Sequence, residues 1–471
     1  MPLDFMRISH VTELLSPAGS LKNMRYAFAY GADAVYAGQP RYSLRVRNNE
    51  FDHDNLKIGI SEAHALGKKF YVVVNIQPHN SKLKNFIRDL EPIIAMQPDA
   101  LIMSDPGLIM MVREHFPDVS VHLSVQANAV NWATVKFWKN MGLSRVILSR
   151  ELSLEEIEEI KQNVPDMEIE VFVHGALCMA YSGRCLLSGY MNKRDANQGA
   201  CTNACRWEYN IHEAVQDVSG DVIPVKMLET TSNCCNNKDA DEQHALQQHQ
   251  FGEPVLLQRN QEEMFAAEED EHGTYFMNSK DLRAVQHVER LTKMGIHSLK
   301  IEGRTKSYFY CARTAQIYRK AIDDAQSGKA FDPALMSQLE GLANRGYTEG
   351  FLRRHVHSEY QNYQTGSSRF DHQQFVGEVL ERHDNYIKID VKNRFIVGDS
   401  LELMTTSGNV TFILSEILDK KGHSILEAKG SGHVVSIPIP ANVEMEYALL
   451  IRNLPSSTTD ISAASLAFQA V

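Results

Sequence analysis

The 471-residue chain carries 48 Lys and Arg against 59 Asp and Glu, a formal net charge of −11, with 43% hydrophobic and 23% charged residues. These proportions belong to a folded protein of two or three domains and exclude a uniformly basic nucleic-acid platform, while leaving room for a local basic surface. The opening Met-Pro-Leu-Asp-Phe-Met-Arg leads into no long apolar run, so the sequence predicts no signal peptide or membrane span and a cytoplasmic location with reduced cysteines.

From Glu13 to about Gly303 one pattern repeats: a short apolar run, a polar turn, then a helical stretch. The runs are Leu14-Leu15, Ala34 to Tyr36, Phe70 to Val74, Ala100 to Met103, Val121 to Val125, Arg145 to Leu148, Ile169 to Val173 and Leu299 to Ile301. They lack strict alternation, as parallel strands buried on both faces do. Between them lie amphipathic segments such as Leu83 to Met96 and Thr134 to Met141, and Ser153-Leu-Glu-Glu156 reads as a capping box. Eight strands alternating with helices predict an α/β chain folded as a TIM-like (β/α) barrel, with an open doubly wound sheet as the alternative. A ninth short run, Tyr275-Phe-Met277 before a helix from Asp281, competes for a place among the eight.

Residues 212–272 break the pattern with Cys234-Cys235, Gln- and His-rich sequence and a run of acids. They are expected to form a mostly exposed, partly disordered insertion in which both thiols are incidental. A long helix, Ser307 to Gln326, follows the last barrel strand and carries Cys311 as a core thiol; a further helix runs to about Asn344. Residues 357–372 read as a linker, so the barrel occupies 1–356. From Phe375 short alternating strands separated by Gly398-Asp399 and Ser407-Gly-Asn409 predict a C-terminal small β-barrel domain over 373–452, followed by a flexible tail over 453–471.

Four of the seven cysteines, Cys178, Cys185, Cys201 and Cys205, fall within 28 residues directly after the Ile169–Val173 run. Thiolates so close repel one another unless a cation lies between them. Zinc sites use two short knuckles, and only Cys201 and Cys205 have that spacing. Intervals of six, fifteen and three residues suit an iron–sulfur cluster better. Zinc and four buried structural thiols stay open as alternatives.

The run from Glu170 through Gly175-Ala-Leu-Cys178 to Gly183, continued to Cys185 and Ser188, resembles the signature of the collagenase-like peptidase family U-32. Glu13-Leu-Leu-Ser-Pro-Ala-Gly19, Gly31 to Gly38, Arg41 to Arg47 and Ser298 to Arg304 extend the resemblance over most of the chain. The branch it most resembles implies prephenate-dependent RNA hydroxylation with a cysteine-bound 4Fe-4S cluster, and specifically 5-hydroxylation of the wobble uridine of tRNA. The peptidase title implies proteolysis instead, but the chain contains no His-Glu-x-x-His helix and no Gly-x-Ser-x-Gly elbow. A zinc-stabilised RNA-binding protein without catalysis is the other alternative.

In a TIM barrel the reactive groups stand at the C-terminal strand ends. Here these include Asn75, Asp105, Gln126, Asn128, Arg150, Glu151, His174, Glu302 and Arg304. Arg41, Arg45 and Arg47 cluster in one βα loop, where their planar forks suit a carboxylate or phosphate. Arg45, Arg47, Gln126, Asn128 and Arg304 are thus expected to bind substrate, with Glu302 and His174 managing protons. The C-terminal domain is expected to present tRNA to the barrel. Homo-oligomerisation is left open.

Overall fold

The computed structural model describes residues 11–44, 49–177, 280–344, 346–353, 373–383, 385–439 and 444–454, and the backbone of 210–216, 222–224, 254–258, 264–270 and 273–274. Seven parallel strands come first: β1 (Glu13–Pro17), β2 (Ala34–Gly38), β3 (Lys69–Val74), β4 (Ala100–Met103), β5 (Val121–Leu123), β6 (Arg145–Ile147) and β7 (Glu168–Ala176). The interposed helices are α1 (Leu21–Ala29), α2 (His53–Ala65), α3 (Asn80–Leu83), α4 (Phe86–Ile94), α5 (Pro106–His115), α6 (Trp132–Asn140) and α7 (Leu154–Asn163). Local chemistry sets several helix starts. Asp52, Asp105 and Ser153 each accept a backbone N–H at the N-cap, and Ser153 with Glu156 forms the complete capping box.

Strands β8 (Asn210–Gln216), β9 (Val222–Pro224), β10 (Pro254–Gln258), β11 (Met264–Asp270) and β12 (Gly273–Thr274) follow, paired antiparallel in the order β12-β11-β10-β8-β9. Part of the stretch expected to be disordered is therefore sheet. Next come β13 (Asp281–Arg283), α8 (Val288–Lys293), β14 (Ser298–Ile301), α9 (Tyr308–Gln326), α10 (Ala334–Glu340) and β15 (Tyr347–Thr348). The helix expected from Asp281 starts only at Val288, because 281–283 pair antiparallel with the top of β7. The candidate strand at 275–277 lies outside the described residues.

β14 pairs in parallel with both β1 and β7, which closes an eight-stranded barrel of β1 to β7 and β14. All eight predicted runs supply its strands. Every residue of β1, β2, β4 and β14 is buried, as expected of strands covered by helices outside and by side chains within. Among the described residues no helix is long and apolar enough to cross a membrane.

The lower interior of the barrel is ionic. Residues two apart on a strand share a face, so Tyr71, Arg145 and Glu170 point inward below Val73, Ile147 and Phe172. Arg145 Nη1 lies 2.6 Å from Glu13 Oε1 and 3.1 Å from Glu170 Oε2. Lys300 Nζ donates to Glu170 Oε1 at 2.7 Å, and the Tyr71 hydroxyl donates to Glu13 Oε2 at 2.7 Å. Burial pushes the Glu13 carboxyl up, but the charge and hydrogen bonds of Arg145 and the Tyr71 hydroxyl outweigh it, and the net shift is downward. His122, edge-on to Tyr71 at 4.8 Å, is held neutral by burial and by the charges of Arg145, Lys300 and Lys69.

The C-terminal domain is an eight-stranded antiparallel sheet of strands 373–383, 386–391, 400–405, 408–413, 417–418, 424–425, 434–438 and 449–453, with its own core of Val376, Ile387, Ile389, Leu401, Leu403, Ile437 and Leu450. It packs on α1 and α9. Met404, Leu449 and Ile451 join the barrel's core, and Arg313 of α9 meets Glu402 at 2.8 Å.

Arg145 is the hub of the barrel's ionic layer. Arg145→Met removes the guanidinium shared by two buried carboxylates, leaving Glu170 to Lys300 and Glu13 to the more exposed Lys69, and should lower stability by about 3–5 kcal/mol, read from urea unfolding at neutral pH. Because the folded Glu13 pKa lies below its ordinary 4.5, this acid stabilises the fold above that value and ceases to as pH falls through and below it. The variant should show a shallower loss of stability over that acid range than the native chain.

Candidate active site at the barrel mouth

A cavity of about 90 Å³ opens at the C-terminal end of the barrel. Its floor is made by Tyr36, Val73, Ile102, Ile147, Phe172 and Lys300, all from barrel strands. Its wall is made by residues at strand ends and in the following loops, notably Asn75, Ser124, Gln126, Arg150, Glu302 and Arg304.

Strand geometry explains how Glu302 reaches the site. β7 and β14 lose register at Lys300/Ile301, after which the Glu302 N–H donates to His174 O at 2.8 Å. Gly175 has φ +107°, and a Cβ there would stand 2.4 Å from Glu302 O. Tyr310 of α9 donates its hydroxyl to the same carbonyl at 2.6 Å. The Glu302 carboxylate lies 3.3 Å from the Tyr36 hydroxyl and 3.7 Å from Arg150 Nη2. Tyr36 donates to Ile301 O at 2.9 Å, and burial raises its phenol pKa.

Among the described residues three cations face this space. The Arg150 guanidinium stacks 3.8 Å from the centre of the Phe172 ring. Lys300 Nζ lies 4.2 Å over the Tyr36 ring, and the Arg304 guanidinium lies 5.8 Å from the same ring. Glu302 is the acid on the wall. The site can therefore hold an anion carrying an apolar or aromatic portion: guanidinium forks for the acid groups, ring faces for the carbon skeleton.

Of the site residues expected from sequence, Glu302, Gln126 and Arg304 line the cavity. Asn128 does not; it takes a left-handed turn (φ 52°) and its amide donates to Gln126 O at 3.1 Å. His174 is placed away from the cavity wall. It is buried against Tyr310, Tyr318 and Tyr347 at 5.5–5.8 Å, and burial lowers its pKa to about 3. Arg41 turns outward to Asp89 at 2.8 Å, Asp105 caps α5, and Glu151 takes the Ser149 hydroxyl. Arg45, Arg47, Cys178, Cys185, Cys201, Cys205, Cys234 and Cys235 lie outside the described residues. Tyr36, Phe172, Ser124 and Lys300 escaped the sequence reading. For Lys300 a signal existed: a lysine inside an otherwise apolar strand.

An eight-stranded parallel barrel with a cation-lined cavity at its mouth and an appended antiparallel sheet places the chain among the two-domain (β/α)-barrel proteins. Family models make the assignment specific: "Peptidase family U32" matches residues 19–362 and "Peptidase family U32 C-terminal domain" matches 371–452, so the chain belongs to the U32 family. It is similar to "tRNA hydroxylation protein P" of Escherichia coli K12, with 66% identity over 95% of this chain and 98% of that protein. The same-named protein of Haemophilus influenzae is 64% identical over 95% of this chain and 97% of its own length. The E. coli "23S rRNA 5-hydroxycytidine C2501 synthase" is 28% identical over 84% of this chain and 53% of that protein.

Gly175→Ala should cost about 1–3 kcal/mol through backbone strain and displace Glu302. A lowered melting temperature with an altered cavity in a crystal structure of the variant is the expected result.

Proposed function

We propose that this protein is a tRNA-hydroxylating enzyme that forms 5-hydroxyuridine at the wobble position, with prephenate as hydroxyl donor and a 4Fe-4S cluster on Cys178, Cys185, Cys201 and Cys205. The observation that carries this reading is the near full-length, 66% identity to a tRNA hydroxylation protein. The barrel mouth is compatible with it in chemistry. Prephenate is a dicarboxylate on a carbon ring, and the cavity joins Arg150, Arg304 and Lys300 to the faces of Tyr36 and Phe172. A wobble uridine is single-stranded and can be splayed into a recess without breaking a duplex.

The cluster is proposed from its donor set: four cysteines in 28 residues, a chemistry of soft thiolates that suits iron–sulfur. Cys178 follows Ala176, a cavity-lining residue, by two positions in sequence. A cysteine nucleophile for proteolysis finds no support among the described residues. Cys311, the cysteine they contain, is fully buried, and burial pushes its thiol up to about 12, the opposite of an activated nucleophile.

Nucleoside analysis of tRNA from a deletion strain tests the reading. 5-Hydroxyuridine derivatives should disappear and return with the native gene but not with Cys185→Ser. Normal modification in a strain that also lacks any oxygen-dependent route would overturn it. On the purified protein, Arg304→Ala should weaken prephenate binding by about 1.5–3 kcal/mol, the range for a hydrogen bond to a charged group. Lys at this position should restore only part of it, because the planar fork is lost. Calorimetric titration reads both.

A further inference from the structure

We infer that Lys300 is a catalytic amine: it forms an imine with the ketone of a 2-oxo acid bound in the barrel-mouth cavity, the acid's carboxylate lying against the Arg150 and Arg304 guanidinium groups. Lys300 stands on the last barrel strand, one residue before its end, where TIM-barrel chemistry is carried out. Its side chain is almost wholly buried yet lines the cavity floor. A lysine whose task was only to neutralise Glu170 would have no need to border that space.

Charge balance also frees this lysine from a purely structural duty. Glu170 already faces Arg145 at 3.1 Å, and Glu13 faces Arg145 at 2.6 Å and Lys69 at 3.6 Å. When Lys300 is neutral and its proton sits on Glu170, Arg145 still has Glu13 at 2.6 Å and Glu168 at 2.8 Å as counter-charges. Burial lowers the ammonium's pKa, with Arg145 acting in the same direction and Glu170 and Glu302 opposing; the net shift is downward. A desolvated lysine beside another cation is the usual form of an imine-forming amine.

The step balances without an oxidant. The Lys300 ammonium gives one proton to Glu170 Oε1, 2.7 Å away. The freed nitrogen pair forms the C–N bond to the ketone carbon, and the carbonyl π pair moves to oxygen, which takes up a proton. Loss of that oxygen as water, with the second nitrogen proton, leaves the C=N bond. Glu302, on the cavity wall beside Arg150 and the Tyr36 hydroxyl, is the carboxyl placed to ferry protons to the departing water. The imine turns the bound acid's carbon skeleton into an electron sink, a role independent of whether tRNA is the final acceptor.

Borohydride trapping on the full-length native protein tests this. With pyruvate as probe, mass spectrometry should place the reduced adduct on the peptide containing Lys300, well above exposed lysines such as Lys57 and Lys421. Lys300→Arg keeps the positive charge and should abolish that adduct while circular dichroism stays native. Hydroxyacetone, a ketone without the carboxylate, should label Lys300 at least tenfold more slowly than pyruvate. An unlabelled Lys300 in native protein whose exposed lysines do react would overturn the imine. Equal rates with the two ketones would overturn the carboxylate contact. The readout needs neither tRNA nor hydroxylation, so a labelled Lys300 stands even if tRNA modification proves normal in the deletion strain, and an unlabelled one leaves the tRNA reading intact.

Discussion

The salt-bridged chain Lys300–Glu170–Arg145–Glu13 inside the barrel is the constraint on which the rest depends. Four ionisable side chains removed from water are not there for stability alone, since apolar residues of like volume do as well or better. Their effect is on register. A one-residue slip of β6 would carry Arg145 to the helix-facing side and leave Glu13 and Glu170 buried without a guanidinium. The chain thus penalises a one-residue slip of β6, and the Lys300–Glu170 pair ties the floor of the cavity to the layer beneath it. Hydrogen bonds run from Tyr71 at Glu13 through to Lys300, so floor and foundation form one connected object.

Charge at the mouth runs against the net −11 of the whole chain. Arg150, Arg304 and Lys300 converge on one recess whose floor includes Phe172 and Ile147. Low-polarity walls strengthen the field that these cations make. Arg150 stacked on Phe172 is also held in one orientation, which reduces the ordering needed when an acid group arrives.

The barrel was legible because each strand is a short apolar run between turn signals, and all eight were found. The β13 ladder was not, since Asp281-Leu-Arg283 is three residues long and pairs with β7 far away in sequence. The sheet that includes 210–216 and 254–258 was hidden for a related reason: its ladders join runs separated by polar, acidic sequence, and such pairing leaves no local periodicity. The site was half legible. Loop residues such as Glu302, Gln126 and Arg304 stand out as polar groups after apolar runs. Tyr36 and Phe172 do not, because a strand buried on both faces gives no sign of which side chain looks inward. Arg41 misled for the converse reason: its loop position was right, but Asp89 on α4 draws it outward.

The C-terminal sheet bears on the site through the first turn of α9. Tyr308 donates to Glu378 of the sheet at 3.2 Å and packs edge-on against Phe375, while Tyr26 of α1 donates to the other oxygen of Glu378 at 2.7 Å. Two residues on, Tyr310 donates to the Glu302 carbonyl and packs against Gly303, where a Cβ would meet its ring at 2.6 Å. Two positions of one helical turn, Tyr308 and Tyr310, therefore grip the appended domain and the loop that carries Glu302 and Arg304. That loop contains a glycine at φ +149° and follows a register break in the strand pair; the Lys306 N–H donates to Gly303 O at 2.9 Å, Asn23 of α1 donates to Lys306 O at 2.9 Å, and Tyr310 adds the hold from α9. Its position depends on how α9 is seated, and α9 is seated between barrel and sheet through Arg313–Glu402, the stacked Phe309 and Phe375 rings, and the Glu378 hydrogen bonds. The second domain is thus part of the support of the mouth.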